Sequence, residues 1–322
     1  MQNFKAWLLT EGAHGMISQV EGLAKALNAS FVHKRIVYNS FWSIFPPSIS
    51  PRSKIVFNFT DIFKNTSTQD SPNIIISCGR KSVIPSIFIK NYIKKTSNKI
   101  VSNIHIQDPK IKKNNFDYII APDHDSLNGE NVIISKGALH YITREEIHNT
   151  RKLCHNKNIL TIILGGPNRY YSFLLEELKL LIDKIEIKFF RNSDEVRFVS
   201  SRRTPLEIIN FLKNKYKNND KVKVDTQLSR ESYVKALSQA KRIVVTSDSI
   251  SMISEAATTG SPIFLARLIA NKNDYRFDKF LELFKKLNIV KDLDTLHEHW
   301  TYEQLYETKR IAELLKKKIK TL

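Results

Sequence analysis

The sequence predicts an α/β protein of two domains, each built on a parallel sheet wrapped by helices. Three observations carry that expectation. At 322 residues the chain exceeds what one hydrophobic core comfortably serves. Short apolar runs rich in β-branched residues recur, each followed by small or polar residues and then by helical spacing, which is the pattern of βα units. The units fall into two sets separated by a polar, charged connector over residues 143–158.

In the first set, strands are expected over residues 5–10, 31–37, 74–77, 102–107, 116–121 and 132–135, with helices over 18–27 and 82–95. Pro46, Pro47 and Pro51 mark an irregular excursion inside this half. The second set has strands over 159–164, 196–200, 222–224, 243–246 and 263–266, and helices over 173–183, 206–215, 232–240 and 250–259. The division is therefore a first domain over residues 1–145, a second over 146–300 and a basic C-terminal helix over 301–322. In that last segment Leu305, Ile311, Leu314, Leu315 and Ile319 supply apolar positions, and Lys316, Lys317, Lys318 and Lys320 crowd the end. Cations at a helix C-terminus complement its dipole. A basic, partly apolar tail also suits an anionic lipid surface.

Composition narrows the function classes. Hydrophobic residues make up 42% and charged residues 26%, enough for packed cores and against global disorder. Cys78 and Cys154 lie far apart with no zinc-ligand spacing, which argues against a disulfide scaffold and a structural metal. No run approaches the roughly 20 apolar residues of a membrane-spanning helix, and the N-terminus has no cleavable signal, so a cytoplasmic setting is expected. The net charge of +19 points to acidic membrane surfaces, phosphorylated small molecules or nucleic acid. Nucleic acid is set aside, since no zinc finger, RNA-recognition signature or helix-turn-helix is present. Lys, Asn and Ile are abundant throughout, so the charge is also accounted for by overall composition.

In parallel sheets wound by helices, ligands bind beyond the carboxyl ends of the strands, so residues just after each strand are the candidates. After the first strand come Glu11, Gly12, His14 and Gly15. The glycines let backbone approach a ligand, and Glu11 or His14 can serve as a general base. Gly79 is followed by Arg80 and Lys81 at a helix start, a setting that attracts anions. Asp108 follows another strand, with His124 and Asp125 close behind the next; Asp-Pro is also an ordinary turn. In the second half Gly165 and Gly166 follow a strand directly, and Ser201, Arg202 and Arg203 follow the next. A glycine loop beside paired arginines suits a phosphate, although both are also common in turns and surface ion pairs.

The segment over residues 246–260 is the strongest. Thr246, Ser247, Ser249 and Ser251 place hydroxyls at a helix start, where free N–H groups suit a diphosphate. Glu255 shares the helix face of Ser251. Asp248 opposes an anion there unless it caps the helix.

With these residues in view, the chain resembles the mitochondrial fission Elm-type family, whose bacterial members are described as nucleoside-diphosphate-sugar epimerases. The stretches LLTEGAHGMISQVEGLAKAL, ISCGRKS, HIQDP, ILGGPNRYY, SSRRTP and VTSDSISMISEAATTGSPIF carry the resemblance through both halves in order. That family resembles GT-B glycosyltransferases, with two Rossmann-like domains facing across a cleft, no metal requirement, and a nucleotide sugar as donor. The resemblance implies that Gly165, Gly166 and Arg202 lie near the phosphates and that the helix after Thr246 meets the diphosphate. It matches Glu255 to the carboxylate that binds ribose hydroxyls. The resemblance also implies that the first domain, with Gly12, Gly15, Arg80 and His124, receives the acceptor. It further implies that the C-terminal helix crosses back to the first domain. The turn TSDSIS lacks the glycine common in nucleotide-sugar transferases. Three readings follow: a transferase acting on a cell-envelope acceptor, a sugar-nucleotide epimerase or hydrolase, and a non-catalytic peripheral membrane or scaffold protein akin to plant organelle-fission factors.

Overall fold

The computed structural model describes residues 4–64, 71–152, 157–226, 229–296 and 299–319; Cys154 and Lys320 lie outside them. The chain forms two compact units, one of Met1–Tyr141 with Glu307–Leu322, the other of Ile142–Tyr306.

The first unit contains β1 (Lys5–Thr10), α1 (His14–Ala26), β2 (Ser30–Arg35), α2 (Ser40–Ser43), α3 (Phe59–Phe63), β3 (Ile74–Cys78), α4 (Val83–Ser97), β4 (Ser102–Ile106), β5 (Tyr118–Pro122) and β6 (Val132–Ser135). Its strands lie in the order β2-β1-β3-β4-β5-β6 and every pairing is parallel. Strands β3, β4 and β5 are buried along their whole length; β3 and β5 read as largely apolar runs, while β4 also buries Ser102, Asn103 and His105. Edge strand β2 is mostly exposed and carries His33, Lys34 and Arg35 instead. Alternation in β1 feeds two cores: Leu8 packs with Val20, Leu23 and Ile76 on one face, Trp7 and Leu9 with Val56, Ile75 and Ile84 on the other.

The second unit contains α5 (Arg144–Lys152), β7 (Ile159–Leu164), α6 (Leu175–Phe189), β8 (Glu195–Ser200), α7 (Leu206–Lys215), β9 (Val222–Asp225), α8 (Arg230–Ser238), β10 (Arg242–Thr246), α9 (Ile250–Ala256), β11 (Ile263–Ala266), α10 (Tyr275–Lys286) and β12 (Val290–Asp292). The strand order is β12-β11-β10-β7-β8-β9, again all parallel. The sequence reading lacks β12 and α10. A three-residue strand gives almost no periodic signal, and the apolar positions of α10 are interleaved with charge.

The structure divides the chain at 141/142 rather than 145/146, because α5 belongs wholly to the second unit. Thr143 starts that helix with a reciprocal cap: its hydroxyl accepts from Glu146 N–H at 3.2 Å while the Glu146 carboxylate accepts from Thr143 N–H at 2.9 Å.

The C-terminal helix α11 (Glu307–Ile319) belongs to the first unit. Ile311, Ala312, Leu315 and Ile319 are buried in the same core as Leu8 and Leu23, each large side chain contributing about 1.5–3 kcal/mol. Its start is anchored by buried Glu307, which accepts from Lys136 N–H at 2.7 Å, and by Thr308, whose hydroxyl donates to His140 O at 2.8 Å. This corrects the reading of the tail as a lipid-seeking helix, because its apolar face is already covered by protein. Leu305, grouped with that face in the sequence, is instead buried in the second unit, and Leu314 is partly exposed.

Candidate functional site

Each sheet has one place where successive strands turn off in opposite directions, and loops diverge there to leave room for a ligand. In the first unit that place lies between β1 and β3, and in the second between β7 and β10. The loops involved are those singled out by the sequence: Glu11 to Gly15 with Gly79 to Lys81, and Gly165 to Asn168 with Ser247 to Ser249.

In the second unit these loops close on each other. Asp248 is fully buried, and its carboxylate accepts from Gly166 N–H at 3.0 Å, Thr246 Oγ1 at 2.7 Å and Arg203 Nη2 at 3.1 Å. Thr246 Oγ1 in turn accepts from Gly165 N–H at 2.9 Å, and Arg203 Nη1 donates to Gly166 O at 2.7 Å. Ser201 Oγ donates to Gly165 O at 2.8 Å. Burial pushes the Asp248 carboxyl above its ordinary value, against the hydrogen bonds from Thr246 and Gly166 and the Arg203 charge, which pull it down.

The arrangement corrects three expectations. Asp248 does not cap α9; Ser249 does, its Oγ accepting from Met252 N–H at 3.4 Å. Gly165 and Gly166 do not offer N–H groups to a phosphate, since both donors are already satisfied inside the loop. Their lack of a side chain serves packing: a Cβ on Gly165 would sit 2.0 Å from Asp248 Oδ2, and one on Gly166 would sit 2.2 Å from the Arg203 backbone. Arg203 is the brace of this knot rather than a free cation. Ser247 is buried as well, accepting from Leu268 N–H at 3.0 Å.

What remains available lies on the rim of the knot. Arg202 is exposed and makes no ion pair or hydrogen bond among the described residues. Ser249 and Ser251 are half-buried at the start of α9, and the Ser251 hydroxyl has no partner among the described residues. One turn further, Glu255 is buried. Its Oε2 accepts from the Tyr233 hydroxyl at 2.8 Å, and Oε1 has no hydrogen-bond partner among the described residues. Burial raises the Glu255 carboxyl to about 7, with the Tyr233 hydrogen bond pulling the other way. A carboxyl with one oxygen held and one open can orient a hydroxyl-bearing ligand.

In the first unit the loops stay more open. Gly12 adopts φ +97°, a conformation side chains disfavour, and lets the chain turn out of β1. Glu11 Oε2 pairs with Lys81 Nζ at 3.3 Å, joining the β1 loop to the β3 loop. Beside them Tyr38 carries a buried hydroxyl without a hydrogen-bond partner among the described residues. Burial raises its pKa to about 12, with Arg80 opposing and Glu11 reinforcing that shift. Arg80 donates to Ser43 O at 2.9 Å. His14 is exposed and Gly15 lies within the first turn of α1, so Gly15 is a helical residue rather than a loop hinge. Asp108 accepts from Lys110 N–H at 2.8 Å and pairs with Lys110 Nζ at 2.5 Å. That is the turn role open to it in the sequence. His124 is buried, its Nε2 3.7 Å from Asp125 Oδ1.

Tyr38 and Tyr233 escaped sequence reasoning. Tyr38 directly follows the strand expected over residues 31–37, which is the signal that could have found it, whereas Tyr233 lies within α8 and follows no strand. Among the described residues no group of three or more His, Cys, Asp or Glu is placed to hold a metal.

Comparison with known proteins bears on both fold and family. The family described as mitochondrial fission ELM1 matches residues 14–319. An uncharacterized protein of Rickettsia prowazekii (strain Madrid E) is 26% identical, the match covering 96% of this chain and 97% of the relative. Mitochondrial fission protein ELM1 of Arabidopsis thaliana is 23% identical over 82% of this chain and 68% of its own. Among solved structures, UDP-GlcNAc 2-epimerase from Neisseria meningitidis bound to UDP-GlcNAc has a TM-score of 0.54 at 10% identity, covering 100% of both chains. MurG of Acinetobacter baumannii has a TM-score of 0.54 at 11% identity, covering 98% of this chain and 99% of its own. These likenesses show the fold, two Rossmann-like domains of the GT-B class.

Proposed function

This chain belongs to the mitochondrial fission ELM1 family, and from that premise we propose that it is a nucleotide-sugar-binding enzyme, a glycosyltransferase acting on an acceptor at the inner face of the cell envelope. The observation that carries the reading is Glu255, a buried carboxyl with one oxygen held by Tyr233 and the other open, behind the hydroxyl-bearing turn at the β7/β10 divergence. Its open oxygen accepts the ribose hydroxyls. Ser249, Ser251 and Arg202 meet the diphosphate, with Arg202 stabilising the charge that develops on the leaving group. Glu11 or His14 of the first unit takes the acceptor proton. The fold shared with UDP-GlcNAc-binding proteins supports a nucleotide sugar as the ligand class.

Equilibrium dialysis with UDP, GDP, ADP and CMP and their sugar derivatives tests this. Wild type is expected to bind one nucleotide series, and Arg202→Ala to weaken it by about tenfold or more. If no nucleotide of the set binds wild type, the reading is wrong. A second reading, a sugar-nucleotide epimerase or hydrolase, is favoured by the epimerase among the structural neighbours. Product analysis without acceptor separates the two: a changed or released sugar selects the second. Binding without turnover under either condition selects a non-catalytic scaffold.

A further inference from the structure

The excursion of the first unit between β2 and β3 carries large apolar side chains that the fold leaves uncovered. It is a built surface. Asn39 N–H donates to Val56 O at 3.0 Å and the Asn39 side chain to Ile55 O at 2.7 Å. Tyr38 bridges Phe57 in antiparallel fashion, and Arg80 holds Ser43 O. One side of the segment feeds the core through Ile36, Val56 and Phe57. The other side faces outward: Ile44 is 75% exposed, Phe41 64% and Ile49 63%, with Val37 and Ile55 more than half exposed. The rings of Phe41, Trp42 and Phe45 lie against one another, with centroids 5.0 to 5.8 Å apart. Single exposed apolar residues are ordinary, but a group of this kind marks a surface that meets a partner.

Charge identifies the partner. Arg35, Arg52 and Lys54 are exposed in the same stretch of chain, and none of their side chains makes an ion pair or hydrogen bond among the described residues. Across residues 30–64 the only acidic side chain is Asp61. A second copy of the chain on this face would set like charges against each other without compensation. Aromatic and aliphatic tips rimmed by uncompensated cations match the headgroup layer of an acidic bilayer, where apolar groups enter the interface and Lys or Arg meet phosphate. We propose that the first unit docks on anionic lipid through this face, with Phe41, Ile44 and Ile49 entering the interface and Arg35, Arg52 and Lys54 engaging the headgroups. The inference does not depend on nucleotide binding. It also locates lipid contact away from α11, whose apolar side is in the core.

The test is co-sedimentation of the full chain with vesicles of phosphatidylcholine alone and of phosphatidylcholine mixed with phosphatidylglycerol. Wild type is expected to pellet with the acidic vesicles and to be released by high salt. The pair Arg52→Glu with Lys54→Glu should lower partitioning by more than about tenfold. The pair Phe41→Ser with Ile44→Ser should lower it by about tenfold or more. A control pair on α11, Lys309→Glu with Lys318→Glu, makes the same change in net charge and should leave partitioning unchanged. Equal pelleting on both vesicle types, no pelleting at all, or an equal loss in the control pair overturns the proposal. So does a light-scattering mass that falls from dimer to monomer in the Phe41/Ile44 pair, which would assign the face to a second copy. All substituted side chains are exposed, and unchanged melting curves establish that each variant is folded.

Discussion

The same element, a glycine-bearing loop at the divergence of a parallel sheet, occurs in both units and does different work in each. In the first unit Gly12 is required by backbone angle; Glu11 pairs with Lys81, and the buried Tyr38 hydroxyl near them has no hydrogen-bond partner among the described residues. In the second unit Gly165 and Gly166 are required by proximity, because Asp248 and Arg203 occupy the space a side chain would take. A glycine after a strand is thus evidence of a constraint, and the constraint is not always a ligand. In the second unit the groups left outside the knot lie on its rim: Arg202, Ser249, Ser251 and Glu255.

The contrast can be broken by substitution. Gly166→Ala forces a Cβ to 2.2 Å from the Arg203 backbone, and should destabilise the second unit by about 3 kcal/mol, read by denaturant unfolding. A near-neutral result would mean that the loop opens easily and the knot is not what holds it.

Glu255 gives a pH-dependent comparison. Its folded pKa is raised to about 7, so the folded chain holds a proton that the unfolded chain has released. Stability contributed by this group is complete below its ordinary value near 4.5 and declines as pH rises to about 7. Glu255→Gln should therefore stabilise the protein at about pH 8, by on the order of 2–3 kcal/mol, and have little effect at about pH 4. A pH-independent difference between the two proteins would remove the buried carboxyl from this account.

The smallest expected effect is in the first unit. Gly12→Ala meets no backbone, only the Arg35 side chain at 3.4 Å, so its penalty is conformational and should be about 1–2 kcal/mol. A loss as large as that of Gly166→Ala would show that the two loops are packed alike after all.

Much of the fold was legible because buried parallel strands have no polar side to present. Residues 159–164 read as a strand from composition alone, and their end located the candidate loop. The partners within that loop were not legible. Gly166 and Asp248 are separated by 82 positions and Arg203 and Asp248 by 45, and nothing local in either segment specifies the other. The amphipathic spacing of α11 was also plain, yet spacing does not say whether an apolar face meets lipid or protein.

The sequence by itself determined the two βα series, the strand ends at which polar residues gather, and the family those segments resemble, because periodicity and turn chemistry act over a few residues. Only the tertiary structure decided which of the gathered residues are engaged with one another and which are left open. Asp248 became a buried tie rather than a cap, Glu255 a buried carboxyl with one open oxygen, and α11 a core helix. Each depends on contacts between segments distant in the chain, and burial then sets the hydrogen bonding and proton affinity that local sequence does not encode.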